Sequence, residues 1–223
     1  MSWLLILCLQ FFLLISHVTI SCSSQFLGHL NESSYLLQFK ASFNTDITDT
    51  SCKLAHADVS TWQNGTDCCS WLGVTRDTIS GHIIGLDLSC NGLQGMVHPN
   101  SSLFRISHLQ TLNLAHNRLF PTQFSSQFGA FVNLTHLNLS DTGMRGEFSS
   151  DISHLSNLVS LDLSMNDDLK WTQDVTLKRL LQNATSLTDL VFYYTDMSFI
   201  TPSSFLRSLI SLLWLLLVLK ELV

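Results

Sequence analysis

The stretch from Leu109 to Leu119, LQTLNLAHNRL, constrains this chain more than any other. Its apolar residues, Leu109, Leu112, Leu114 and Leu119, fit neither a helical face nor a plainly alternating strand. They fit a short strand, Thr111 to Ala115, with Leu112 and Leu114 pointing inward and a turn behind it. Asn117 stands where one side-chain amide can hydrogen-bond the backbone of neighbouring turns and so pair polar groups inside the bend. One such unit has nothing to bury its leucines against, so it demands stacked copies.

The copies are present. Ile83-Leu86-Leu88-Asn91-Leu93 precedes this unit, and Leu134-Leu137-Leu139-Thr142-Met144 follows it. Leu158-Leu161-Leu163-Asn166-Leu169, with one extra residue in the turn, and Leu187-Leu190-Phe192-Thr195-Met197 complete the series. The first positions step by 26, 25, 24 and 29 residues, the period of a leucine-rich repeat. The fold expected is an α/β leucine-rich-repeat solenoid. Short parallel strands line its concave face, the convex side is helical or irregular, and a helical cap closes the amino-terminal end. Ile106, Phe131, Ile152 and Leu155 supply apolar residues for the convex layer.

With charged residues at 13%, hydrophobic residues at 46% and no basic cluster, the chain is neither a disordered tail nor a nucleic-acid binder. An apolar run from Trp3 to Ile15, followed by small polar residues, reads as a signal peptide over 1–23. An uncleaved anchor reaching Ile20 is the alternative. Sequons at Asn31, Asn64, Asn100, Asn133, Asn138 and Asn183 agree with the secretory route, to the plasma membrane or the extracellular space. The cap is expected over 24–81, the repeats over 82–204 and an atypical hydrophobic segment over 205–223. In the cap, Leu36, Phe39 and Phe43 recur at helical spacing, with Ser33 or Ser34 as the N-cap.

LLQFKASF, DCCSWLGV, GHIIGLDLS and the NxLxG turn at Asn91-Leu93-Gly95 resemble the cap and first repeats of plant extracellular leucine-rich-repeat receptor-like proteins. NSSLF, LTHLNLS and ISHLSNL resemble the Cf type of disease-resistance receptor-like protein in particular. The resemblance implies a single-pass membrane protein without a kinase. Such a protein recognises pathogen or peptide ligands and signals through partner kinases, so a co-receptor kinase is an implied partner. It also implies two cap disulfides, whose partners to Cys68 and Cys69 are replaced here by Gly28 and Arg76. Cys22 could take over for Cys68, and Cys52 and Cys90 remain as a plausible pair.

The tail, LISLLWLLLVLKELV, keeps repeat spacing at Leu212, Leu215, Leu217 and Leu222, but Lys220 replaces the Asn. A truncated product is the expectation, and a membrane segment over 205–219 the alternative.

Side chains alternating with the inward leucines form three concave rows. These are Gly85, Thr111, His136, Ser160 and Asp189; then Asp87, Asn113, Asn138, Asp162 and Val191; then Ser89, Ala115, Ser140, Ser164 and Tyr193. His136, Ser160, Asp162, Asp189, Tyr193 and Tyr194 are the candidate ligand-binding residues, the tyrosines acting as anchors. His136, Ser160 and Asp189 hold the residue types of a nucleophilic triad, but with serine in the middle, where a triad needs histidine. No metal or phosphate motif is recognisable, and no cofactor is implied. The expected function is non-catalytic recognition of a protein or peptide. The alternatives are a secreted inhibitor of pathogen cell-wall hydrolases and a degenerate fragment that does not signal.

Overall fold

The computed structural model of the chain describes residues 29–45, 52, 59–66 and 68–201. The signal segment, Cys22, Gly28 and the tail lie outside the described residues, as do the side chains of Asn31 and Cys69. Among the described residues no helix is long and apolar enough to cross a membrane.

The cap opens with helix α1 (His29–Lys40). Leu36 and Phe39 bury one face of it, and Phe43 joins them from the turn that follows, its ring 4.9 Å from that of Phe39. The helix starts earlier than the serine-cap reading expects, so Ser33 and Ser34 lie inside it and neither caps it. Lys40, the last residue of the helix, ties it to the chain beyond, donating from Nζ to the carbonyls of Ser60 and Trp62 at 3.3 and 3.0 Å. Trp62 and Trp71 stack at 5.2 Å, and each indole N–H is spent, one on the Leu72 carbonyl and one on Thr66 Oγ1. Cys68 is buried, and the Nη2 of Arg76 donates to its sulfur, so the arginine at the expected cysteine position packs against Cys68. Cys52 and Cys90 form a disulfide that ties the cap to the first coil. Replacing both by serine is expected to lower stability by about 2–4 kcal/mol, read by urea denaturation.

A buried carboxylate joins the cap helix to the sheet. Glu32 accepts the Ile83 N–H at 3.0 Å through one oxygen, and its other oxygen lies 3.3 Å from His82 Nδ1. That peptide N–H belongs to the buried Ile83, where the first long strand of the sheet opens. Glu32→Ala should therefore cost about 1–3 kcal/mol and loosen the cap before the repeats. Amide exchange at Ile83 checks it: faster exchange there with the later coils unchanged is the expected pattern.

Strand β1 (Asn44–Thr45) pairs antiparallel with β4 (Leu93–Gln94) at the cap's flank. Among the described residues the main sheet has six strands. Strand β2 (Val74–Arg76) closes its first edge antiparallel to β3 (Ile83–Asp87). Then come β5 (Thr111–Asn113), β6 (His136–Asn138), β8 (Ser160–Asp162) and β10 (Asp189–Val191), each parallel to its predecessor. The register aligns Leu86, Leu112, Leu137, Leu161 and Leu190 in one buried column. The outlying β7 (Gly146–Glu147) and β9 (Leu169–Lys170) form a second short parallel pair beyond the turns.

Strand β5 stops at Asn113, two residues short of the expected Ala115, because the turn begins there. Asn117 organises that turn. Its Nδ2 donates to the carbonyls of Leu88, Leu114 and Ala115, and its Oδ1 accepts the Leu93 N–H. Asn166 does the same for Leu139, Leu163 and Ser164 while accepting from Thr142 and Met144. Just before each of these turn positions the backbone enters the left-handed region, at Cys90, His116, Asp141, Met165 and Tyr194.

The convex layer consists of single 3₁₀ turns at Ser102–Arg105, Ser126–Ala130 and Ser150–His154, then helix α2 (Asp174–Asn183). Ser101, Ser125 and Ser149 cap the three turns, each hydroxyl accepting a backbone N–H two residues on. Ile106, Phe131, Ile152 and Leu155 are all buried there, as expected. An aromatic column runs between the layers, with Phe124–Phe148 at 4.8 Å, Phe148–Trp171 at 4.0 Å and Trp171–Phe192 at 6.0 Å. It belongs to the same continuous core as the leucines.

Candidate functional site: the concave sheet face

Parallel pairing in register puts every outward strand position into a row across the coils. The first row holds together: Thr111, His136, Ser160 and Asp189 are successive register partners. His136 and Asp189 thus flank Ser160, and neither serves it. His136 Nδ1 lies 2.9 Å from Thr135 Oγ1, and Asp189 Oδ2 accepts from Thr188 Oγ1 at 2.8 Å. The arrangement lacks the proton path of a triad.

The second row has a structural task the sequence reading missed. Asp87, Asn113, Asn138 and Asp162 each accept, through Oδ1, the backbone N–H two residues ahead. Ser89, Ser140 and Ser164 add their hydroxyls to the same oxygens at 2.6–2.7 Å. The four coils of β3, β5, β6 and β8 therefore each end the strand with one side-chain clasp, and Asp162 has only its second oxygen left for a partner.

The third row is a correction. Ser89, Ala115, Ser140 and Ser164 are buried, because the clasp turns them under the sheet edge. Only Tyr193 of that row is exposed, at 42%. Its coil carries Val191 where the others carry Asp or Asn, so the clasp is absent and the side chain stays outside. Tyr194 is 65% exposed and stands off the strand, on the left-handed turn position, its ring 5.7 Å from that of Tyr193.

Tyr194 shares its row with His116, Asp141 and Met165, three exposed residues absent from the sequence-derived set. His116 Nδ1 lies 3.0 Å from Asp141 Oδ2 across adjacent coils. The signal that could have found them was the position immediately before each turn Asn or Thr.

Asn138, the sequon within the sheet, sits in the same clasp as its neighbours. In it Asp87-Leu88-Ser89 and Asp162-Leu163-Ser164 play the part of Asn138-Leu139-Ser140. Asn64, Asn100, Asn133 and Asn183 are exposed outside the sheet. Among the described residues no group of three His, Cys, Asp or Glu could hold a metal ion. The carboxyls held below the ordinary range, Asp77 by the Ser80 N–H, Asp174 by Lys178 and Asp196 by Ser198, lie away from this face.

A curved stack of parallel strands, asparagine-stapled turns and a helical cap defines a leucine-rich-repeat protein. Residues 29–75 match the family described as Leucine rich repeat N-terminal domain, and residues 108–130 and 133–155 match Leucine Rich Repeat. The sequence relatives are plant receptor-like proteins, the Cf type among them. Receptor-like protein 6 of Arabidopsis thaliana is 41% identical over 65% of this chain and 15% of its own length. Receptor-like protein 9DC1 of Solanum pimpinellifolium is 38% identical over 92% of this chain and 25% of its own. Receptor-like protein Cf-9 of the same species is 35% identical over 68% of this chain and 17% of its own. The chain thus spans a quarter or less of the length of these relatives. A chain of the BIR3–SERK2 complex from Arabidopsis thaliana shares the fold, with TM-score 0.59 and 25% identity over 78% of this chain and 86% of that one.

Proposed function

We propose that this chain is an extracellular recognition module that binds an extended segment of a protein or peptide on its concave sheet and performs no catalysis. The observation that carries the reading is the in-register outward row Thr111–His136–Ser160–Asp189, ending beside the exposed Tyr193 and Tyr194. Small polar side chains on a rigid sheet suit hydrogen bonding along a strand-like partner, and tyrosines at one end bring contact area at low entropy cost. The kinship with receptor-like proteins supports a place in the secretory pathway and at the cell surface, with a co-receptor kinase as a second partner.

The test is a binding comparison on secreted peptides from challenged tissue. Ser160→Trp fills the centre of the face without touching the core and should abolish capture, whereas Asn157→Trp, on the turn before β8, should leave it intact. Equal capture by both variants would overturn the reading, and inhibition of a fungal polygalacturonase by the wild type would favour an inhibitor instead. Glycopeptide mass spectrometry supplies an independent check. Asn138 should be unmodified and Asn64 and Asn100 occupied, because a glycan on Asn138 would stand in the middle of the proposed surface.

A further inference from the structure

We infer that the segment seated on this face is cationic, carrying lysine or arginine; this rests on the concave face being the recognition surface. Asp87, Asp162 and Asp189 point outward from the strands, and Asp141 from the turn row. No lysine or arginine occupies an outward strand or turn-row position between Ile83 and Tyr194. The chain does not lack such residues. Arg118, Arg145 and Lys170 follow the turns, and Arg105, Lys178 and Arg179 lie on the convex side.

Among the described residues no lysine or arginine pairs with these carboxylates. Asp162 and Asp87 give one oxygen each to the clasp, Asp189 accepts only from Thr188, and Asp141 meets only His116. Asp162 and Asp189 lie on neighbouring strands, whose spacing is about 4.8 Å, so these like charges repel each other and a cation laid across them relieves the repulsion. At the end of the face, Tyr193 and Tyr194 offer exposed rings beside Asp189, the surroundings that favour a guanidinium or ammonium group. An acidic or purely apolar segment would meet uncompensated carboxylates at Asp162 and Asp189, beside the tyrosines, and at Asp87 at the other end.

The clasp itself provides the test. Asn113 and Asn138 already do with an amide what Asp87 and Asp162 do with a carboxylate. Asp87→Asn, Asp162→Asn and Asp189→Asn should therefore remove charge and leave the fold standing, which circular dichroism and thermal melting verify. The probes are dodecapeptides of alternating Lys-Ser, Glu-Ser and Gln-Ser, followed by fluorescence anisotropy, together with a displayed random-peptide library. The Lys-Ser peptide should bind and the other two should not. Its binding should weaken roughly tenfold between about 50 and about 300 mM salt. The triple Asn variant should lose at least about fivefold in affinity, Tyr193→Ser with Tyr194→Ser should weaken it further, and Asp167→Asn with Asp168→Asn on the turn should change nothing. Library binders should be basic and blocked by Ser160→Trp. Neutral or acidic binders that Ser160→Trp blocks would overturn the cationic inference and leave the concave face standing. Binders indifferent to Ser160→Trp would overturn both. Failure of the Lys-Ser peptide together with an unenriched library would also overturn the inference.

Discussion

Asn117→Ala is expected to destabilise the solenoid by about 4 kcal/mol, and Asn166→Ala by a similar amount. The two side chains are almost entirely buried, and each serves several backbone groups that have no route to water. Removing Asn117 leaves the carbonyls of Leu88, Leu114 and Ala115 and the N–H of Leu93 without its amide. Each buried group so abandoned costs about 1–3 kcal/mol, tempered where the carbonyl keeps another donor. Two coils are affected, its own and the one before it, because Leu88 and Leu93 belong to the preceding repeat. Asn157→Ala gives the contrast, since Asn157 makes one exposed bond, to the Val132 carbonyl at 2.9 Å, and should cost under about 1 kcal/mol. Urea denaturation of the three variants checks the order. Equal losses would mean that the turn amides are decorative.

Gly129→Ala should be the most damaging small substitution on the convex side, at about 3 kcal/mol. A Cβ there would stand 2.2 Å from the carbonyl oxygen of Asp151 and 2.6 Å from its carbon. Both opposing atoms are backbone, so no rotamer change relieves the contact, and the two 3₁₀ turns must move apart. That movement would open the aromatic column between Phe124, Phe128 and Phe148. Ser126→Ala, exposed in the same turn, should be near neutral. Differential scanning calorimetry separates the two variants by several degrees if the coils do meet backbone to backbone.

Much of this architecture was legible in the sequence because stacking imposes one period on every buried position. Leu112, Leu137 and Leu161 had to share a column once five copies fell into step, and Asn117 had to point inward. The Cys52–Cys90 bridge also emerged as the plausible pair, and the structure contains it. What did not follow was the fate of the serines after the strands. Alternation alone sends Ser89, Ser140 and Ser164 outward; the clasp with Asp87, Asn138 and Asp162 bends the chain first and buries them. The left-handed turn position was hidden for a related reason. Cys90, His116, Asp141, Met165 and Tyr194 have no common chemistry, so their side chains do not mark a row; only their place before each turn Asn or Thr does, and the left-handed backbone gives that place its outward position. Ser33 and Ser34 looked like caps because helical start signals are local, whereas the burial of Glu32 against Ile83 involves residues 51 positions apart.

The central claim is that successive coils lie side by side as parallel strands in one register. Cross-strand nuclear Overhauser contacts in isotope-labelled protein test it most directly. Residues 111–113 should contact 136–138, and 136–138 should contact 160–162, with Leu112, Leu137 and Leu161 amides slow to exchange. Contacts confined to neighbours three or four residues away, or an antiparallel pattern between these segments, would contradict it.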